Sequence, residues 1–230
     1  MPFERRNIGE KMINFDSIKN NEAIKTYIEA ADASLATLGY TEHSYMHVGR
    51  VANDAAAILS GLGYDSHTVE LAEIAGYMHD IGNLVNRIEH SQSGAVMAFR
   101  ILDRMDMPPE DISTIVTAIG NHDEGTGVPV NAVAAALIIA DKSDVRRSRV
   151  RNRDITTFDI HDRVNYSVEE SNLRINTEKT EILLELKIDT NISTVMEYFE
   201  IFLKRMVMCR KAANRLGLTF RLIINGQKVI

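Results

Sequence analysis

Cysteine is almost missing from this chain: Cys209 is the only one in 230 residues. That excludes an intramolecular disulfide and a thiolate metal cluster, and it suits a reducing cytoplasm. Any metal would have to be held by histidine and carboxylate. Long apolar runs are also absent, since AVAAALIIA, the most apolar stretch, falls far short of the roughly 20 residues a membrane span needs. The N-terminal MPFERRNIGEKMINF carries charges without a continuous apolar core, so it does not read as a secretory signal. A soluble cytoplasmic protein with no membrane partner is expected. Internal repeats, low-complexity tracts and flexible linkers are likewise missing. Positive charge is in short supply: 26 Lys and Arg against 32 Asp and Glu give a formal charge of -6. That balance argues against a surface built throughout for nucleic acid, although a local basic patch is compatible with it.

What is present is ordinary globular material, 45% hydrophobic and 25% charged, enough for one large domain or one domain with a smaller appendage. Apolar residues recur at helical spacing in six stretches. The first runs from Ser17 to Leu38, with Gly39 as its stop. A second is capped by Thr41 and ended by Gly61 and Gly63, and a third opens at Asp65 or Ser66 and ends at His79, Asp80 and Gly82. After a short link containing His90 comes a fourth, stopped by Pro108 and Pro109. The fifth starts near Glu110, and the sixth carries Val130, Val133, Ala134 and Leu137. Two polar residues extend apolar faces in this pattern, His122 on the fifth helix and Asp141 on the sixth. A carboxylate on a buried helix face costs several kcal/mol unless a cation pairs with it. A metal ion would do so.

From about Asn172 the period changes to two, with Leu173 and Ile175, then Ile182, Leu184, Leu186 and Ile188, around an NTEKT hairpin loop. A long amphipathic helix from near Ser193 to Leu216 and a last strand, Leu218 to Ile224, complete a small β-β-α-β unit. The expectation is a mainly α protein. Residues 17–163 form a helical domain, and 164–230 an α+β appendage that packs on it or pairs subunits into a homo-oligomer. No chemistry is assigned to the appendage. Between the two, DKSDVRRSRVRNRD places Arg146, Arg149 and Arg153 on one helical face with Arg147 and Arg151 close by. Such a row is either a solvated face or a phosphate-binding rim of guanidinium forks.

Five of the seven histidines, His43, His47, His79, His90 and His122, lie at or near predicted helix ends or the link beside them, with Asp80 and Asp141 in the same region. Imidazole and carboxylate together make a donor set for divalent transition metals. The order of HVGRV, MHDIGN, HSQSGA, AIGNHDEG and LIIADKSD resembles the HD superfamily of metal-dependent phosphohydrolases over roughly Thr41 to Arg147. The resemblance implies a helical bundle. It implies that His47, His79, Asp80 and Asp141 hold one ion, and that Asp80 bridges to a second completed by His90 and His122. The ions would be Fe, Mn or similar. A hydroxide between them would attack phosphorus in a nucleotide-like phosphoester or phosphoanhydride, with Asp80 the central catalytic residue. Members acting on cyclic dinucleotides carry adjacent histidines and a Gly-x-Gly-Tyr-Pro segment; here Asn121 precedes His122, and Asn83 stands where those members commonly have Lys. The chain is more similar to the branch cleaving dinucleoside polyphosphates, in which Lys follows the distal Asp as Lys142 does here.

Lys142, Arg146 and Arg147 are the expected phosphate contacts. His43, four residues before His47 and expected on the same helical face, is favoured as a capping or surface histidine, with a third-metal or supporting role as the alternative. The competing functions are a catalytically silent nucleotide-binding regulator on the same scaffold and an RNA binder using the arginine row. The acidic balance and the lack of an aromatic platform among those arginines place the RNA binder last.

Overall fold

The structure, a computed structural model, describes residues 13–230, so the reading of the N-terminal segment falls largely outside it. Helices α1 (Phe15–Lys19), α2 (Glu22–Thr37), α3 (Tyr45–Leu62), α4 (Ser66–Met78), α5 (His90–Arg104), α6 (Pro109–Gly120) and α7 (Ala132–Ser143) form the helical bundle expected from the apolar periodicity. After α8 (Ile160–Ser167) the chain lays down β1 (Val168–Ile175), β2 (Glu181–Ile188), α9 (Val195–Arg215), β3 (Thr219–Ile224) and β4 (Gln227–Lys228). The division expected after residue 163 falls within α8. Among the described residues no helix is long and apolar enough to cross a membrane.

Helix α7 is the centre of the bundle. Every residue from Val133 to Ala140 is buried, as expected of a helix apolar all round. It is covered by α3, α4 and α6, and on its remaining side by α9. A single hydrophobic cluster therefore runs from Ile18 on α1 through α7 to Phe202 and Met206 on α9 and on to Leu222 on β3. In the sheet, β1 and β2 form an antiparallel hairpin with Leu173 opposite Leu184. β3 pairs parallel to β2 after the α9 crossover, with Leu184 opposite Leu222. Asn225 and Gly226, both at positive φ, turn the chain into β4, so the unit is ββαββ rather than β-β-α-β. The Thr194 and Glu197 side chains make a reciprocal capping box at the start of α9.

Five local expectations are corrected, the first three by hydrogen bonding that no apolar period records. The Ser17–Leu38 stretch is two helices. Asn21 breaks it, because its side-chain oxygen accepts from the N–H groups of Ala23 and Ile24 and so starts α2 afresh. Helix α3 begins behind Ser44, whose hydroxyl caps Met46 N–H, and Thr41 is not its cap. Residues 41–43 are held out of the helix by tertiary bonds: Glu42 N–H donates to Arg149 O and His43 N–H to Asp32 Oδ1 at 2.8 Å. His43 is therefore not on the helical face of His47. His90 is the first residue of α5 rather than part of the link. The arginine row is not helical either: α7 stops at Ser143, and only a 310 turn at Arg147–Arg149 follows.

Helices α3 and α4 approach closely at Gly76, where a Cβ would lie 2.7 Å from Ala52 Cα and 2.9 Å from Ala52 N. That contact sets the spacing between His47 on α3 and His79 just past α4. Gly76→Ala forces the helices apart and is expected to cost about 1–3 kcal/mol in urea unfolding, with weaker divalent-metal binding in calorimetry. A Gly76→Ala protein as stable as the parent would show that the helices do not depend on this contact.

Candidate metal centre

All six residues of the expected ligand set are brought together, from five segments of chain. His47 comes from α3, His79 and Asp80 from the end of α4, His90 from the first turn of α5, His122 from just past α6, and Asp141 from α7. The four histidines and Asp80 are buried, and Asp141 is partly so. His47 Nε2 lies 3.5 Å from Asp80 Oδ2 and 3.4 Å from Asp141 Oδ1. His79 Nε2 lies 3.2 and 3.7 Å from the same two oxygens. His90 Nε2 is 3.5 Å from Asp80 Oδ1 and 3.1 Å from His122 Nε2. Donor atoms of His47, His79 and Asp141 form one group, and those of His79, Asp80 and His122 another, each within 4.8 Å. His79 thus belongs to both.

Each ring is turned the same way by the bond its other nitrogen makes. His47 Nδ1 donates to Asp144 Oδ2 at 2.8 Å, His79 Nδ1 to Gly76 O at 2.7 Å, His90 Nδ1 to Arg87 O at 3.1 Å and His122 Nδ1 to Ile119 O at 2.6 Å. A carbonyl or carboxylate oxygen can only accept, so a proton sits on each Nδ1 and all four Nε2 atoms face the cluster. Asp80 is turned as well: Asn83 Nδ2 donates to both its backbone carbonyl and its Oδ1, at 2.9 Å each. The neighbouring Gly82 has no room for a side chain, because a Cβ there would run into His90 O and Gly94 N where α5 packs on the turn.

The electrostatics call for a cation. Burial alone would raise Asp80 and Asp141, but the imidazoles of His79 and His47, and Lys142 beside Asp141, hold both carboxyls well below their usual range. Burial alone would lower His79, yet Asp80 and Asp141 outweigh it and push that imidazole up to about 10. His47 moves up for the same reason against burial and Arg149. His122 and His90 move down, through burial first and then the cationic neighbours. Buried Nε2 atoms of His47 and His79 have no hydrogen-bond partner. Buried polar atoms of native proteins are nearly always satisfied, and orphaned imidazole nitrogens aimed at two ionised carboxylates fit a divalent ion.

Several contributing residues were not singled out by sequence. Asp144 orients His47, and the only signal for it was an acid three residues after Asp141. Its other oxygen and its backbone hold the arginines. Arg146 Nε donates to Asp144 Oδ1 at 2.6 Å, and Arg149 Nη1 to Asp144 O at 2.8 Å. Arg147 Nε donates to Tyr166 O at 2.6 Å with its guanidinium on the Tyr166 ring, and Arg151 pairs with Asp32. Of the expected phosphate contacts, Arg146 is thus engaged by Asp144 behind the His47 ring and Arg147 by Tyr166. Lys142 does reach it: its buried Nζ lies 2.6 Å from Asp141 Oδ2 and 3.3 Å from Glu124 Oε2. Glu124 in turn takes Arg205 Nε of α9 at 2.6 Å. The appendage therefore contributes a charge to the rim. His43 packs edge-on to His47, ring centres 5.4 Å apart, with its Nδ1 donating to Thr41 O; burial pushes it well below the usual imidazole value.

The HD domain family model matches residues 44–164. An uncharacterized protein of Methanocaldococcus jannaschii is 25% identical over 205 residues, covering 78% of each chain. A crystal structure of a protein described as a predicted HD superfamily hydrolase, from an uncultured Thermotogales bacterium, is 24% identical with a TM-score of 0.43. It covers 54% of this chain and 67% of that one.

Two outcomes follow from the geometry. Asp144→Asn leaves His47 without its anionic acceptor and is expected to weaken Mn2+ or Co2+ binding by about 10- to 100-fold in calorimetry; unchanged affinity would remove Asp144 from the site. Glu124 supplies a pH effect. Burial alone would raise it, but Lys142 and Arg205 hold it at about 2, against 4.5 in an ordinary Glu. A depressed folded value means a stabilisation complete above about pH 4.5 and lost as pH falls toward 2. In Arg205→Ala one of the two cations is gone, so melting temperature should fall at neutral pH and acid loss should begin at a higher pH. Parallel melting curves against pH for the two proteins would show that the Arg205 contact is idle.

Proposed function

The chain belongs to the HD domain family, and from that premise we propose a metal-dependent phosphohydrolase that cleaves a phosphoester or phosphoanhydride of a nucleotide-like substrate. The observation that carries the reading is the convergence of four Nδ1-tethered imidazoles and two ionised carboxylates on one buried spot. No structural role in the fold requires so costly an arrangement. In this reading His47, His79, Asp80 and Asp141 hold one divalent ion, and Asp80, His90 and His122 a second. Such ions, when bound, supply activated water and charge stabilisation at a phosphoryl group.

The remaining work belongs to the chain's own residues. Asn83 fixes the Asp80 carboxylate so that its two oxygens face different imidazoles. Gly76 O, Ile119 O and Arg87 O keep three rings from rotating. Lys142 occupies Asp141 Oδ2 and leaves Oδ1 toward His47 and His79. The buried residues Val133 to Ala140 of α7 keep bulk water from that side of the cluster. No serine or cysteine nucleophile is called for, which agrees with the burial that pushes the Cys209 thiol up to about 12.

Purified protein should carry or take up divalent metal by elemental analysis, and should release phosphate from a panel of nucleotides and phosphate esters with Mn2+, Fe2+, Co2+ or Mg2+. Asp80→Ala, folded by circular dichroism, should lose about 10³-fold or more in kcat. Turnover preserved in that variant would sink the mechanism. Metal and nucleotide binding without turnover under every metal would favour the silent regulatory scaffold.

A further inference from the structure

A phosphoryl group reaching the cluster brings negative oxygens, and the cations around the site differ in how far they are already spent. Lys142 is held by Asp141 and Glu124, and Arg205 by Glu124. Arg146 and Arg149 are held by Asp144, and Arg50 donates to Ser171 O at 2.7 Å beside Asp54 and Asp144. Arg87 is different. It stands on the short loop between the 310 turn Ile81–Leu84 and α5, and its guanidinium reaches the cluster directly. Nη1 lies 3.3 Å from His90 Nε2 and 3.3 Å from Asn83 Oδ1. Both contacts are long and both partners are neutral, and among the described residues no carboxylate pairs with it. Behind it lies the half-exposed Tyr40 ring, 5.8 Å from the guanidinium carbon.

We infer that Arg87 is the residue that binds the substrate's phosphoryl group, and that it selects a terminal phosphoryl, in a phosphomonoester or the end of a phosphoanhydride, over an internal diester. This rests on the phosphohydrolase reading above. The His90 Nε2 lone pair cannot serve a divalent ion and a guanidinium together, so an ion there releases Arg87 toward the incoming anion. A guanidinium takes two oxygens in its fork. A terminal phosphoryl has three non-bridging oxygens, two for the fork and one left for the cluster. A diester has only two, so full engagement by Arg87 would leave none. In the reaction, the bond from a water oxygen to phosphorus forms and the bond from phosphorus to the leaving oxygen breaks. The leaving oxygen takes up a proton, and the products are the alcohol, or the shortened phosphate, and inorganic phosphate. Tyr40 backs the guanidinium through its ring face.

The test uses inorganic phosphate as probe, titrated calorimetrically into the Mn2+-loaded full chain and into Arg87→Ala, Arg87→Lys and Arg87→Gln, each with metal content measured. Arg87→Ala and Arg87→Gln are expected to bind phosphate about 10- to 100-fold more weakly at unchanged metal content, with partial recovery in Arg87→Lys. Where turnover is observed, KM for a monoester such as p-nitrophenyl phosphate should rise more than kcat falls, and bis-p-nitrophenyl phosphate should be the poorer substrate. Phosphate binding absent from the parent, or equal in Arg87→Ala, overturns the inference, as does loss of metal in Arg87→Ala or a preference for the diester. Arg87-dependent phosphate binding with no turnover under any metal would overturn the hydrolase reading and keep the anion site. Turnover with Arg87-independent binding would do the reverse.

Discussion

Two carboxylates facing one another across a protein interior form the constraint on which the rest of this structure depends. Asp80 and Asp141 reach the same pair of imidazole nitrogens inside a shell of buried apolar residues. Ionised acids there cost several kcal/mol each unless positive charge is supplied. The chain supplies only part of it: Lys142 at Asp141, and the imidazoles. The tethering of every ring through Nδ1 makes sense against that demand, because it turns the four Nε2 atoms inward, where a divalent ion would find them.

The tethers come from a predictable place. His79 and His122 each follow a helix, and each donates to a carbonyl three residues back, Gly76 O and Ile119 O. Carbonyls in the last turn of a helix have no intrahelical partner, so a histidine just past the end finds an acceptor already waiting. His90, at the first turn of α5, uses Arg87 O in the loop before it. Helix ends thus provide both the direction of the ring and its tautomer without further side chains. Only His47, which sits within α3, needs a dedicated acceptor, and Asp144 fills that place. The burial of Asp144 then draws in Arg146 and Arg149 to balance it. The arginine-rich segment is accordingly a charge-balancing loop in which Arg149 is buried, Arg146, Arg147 and Arg151 are half-buried and Arg153 is exposed, and Arg146, Arg147, Arg149 and Arg151 are engaged within the protein.

Coupling to the C-terminal unit follows the same logic of compensation. Lys142 balances Asp141 but leaves an excess shared with Glu124, and Glu124 is balanced by Arg205 from α9. Helix α9 also covers the last face of α7 and carries the strand crossover of the sheet. One element therefore closes the core, organises the ββαββ unit and neutralises the rim of the metal centre.

The order of elements, the amphipathic faces, and the identities of His47, His79, Asp80, His90, His122 and Asp141 as residues of one kind in one region were all legible in the sequence, because helical period and motif order are local properties of a chain. Even the odd placement of Asp141 on an apolar stripe was readable there. What only the tertiary structure decided is how charges pair over distance. Asn21 and Ser44, rather than the apolar period, set two helix starts, and the Glu42–Arg149 backbone contact pulls His43 off α3. Asp144 lies against His47 although 97 residues separate them, and Arg205 joins a site to which its own segment showed no relation. Hydrogen bonds and ion pairs of this kind have no period. A sequence names their donors and acceptors, but the choice among partners is made by which ones burial leaves without water.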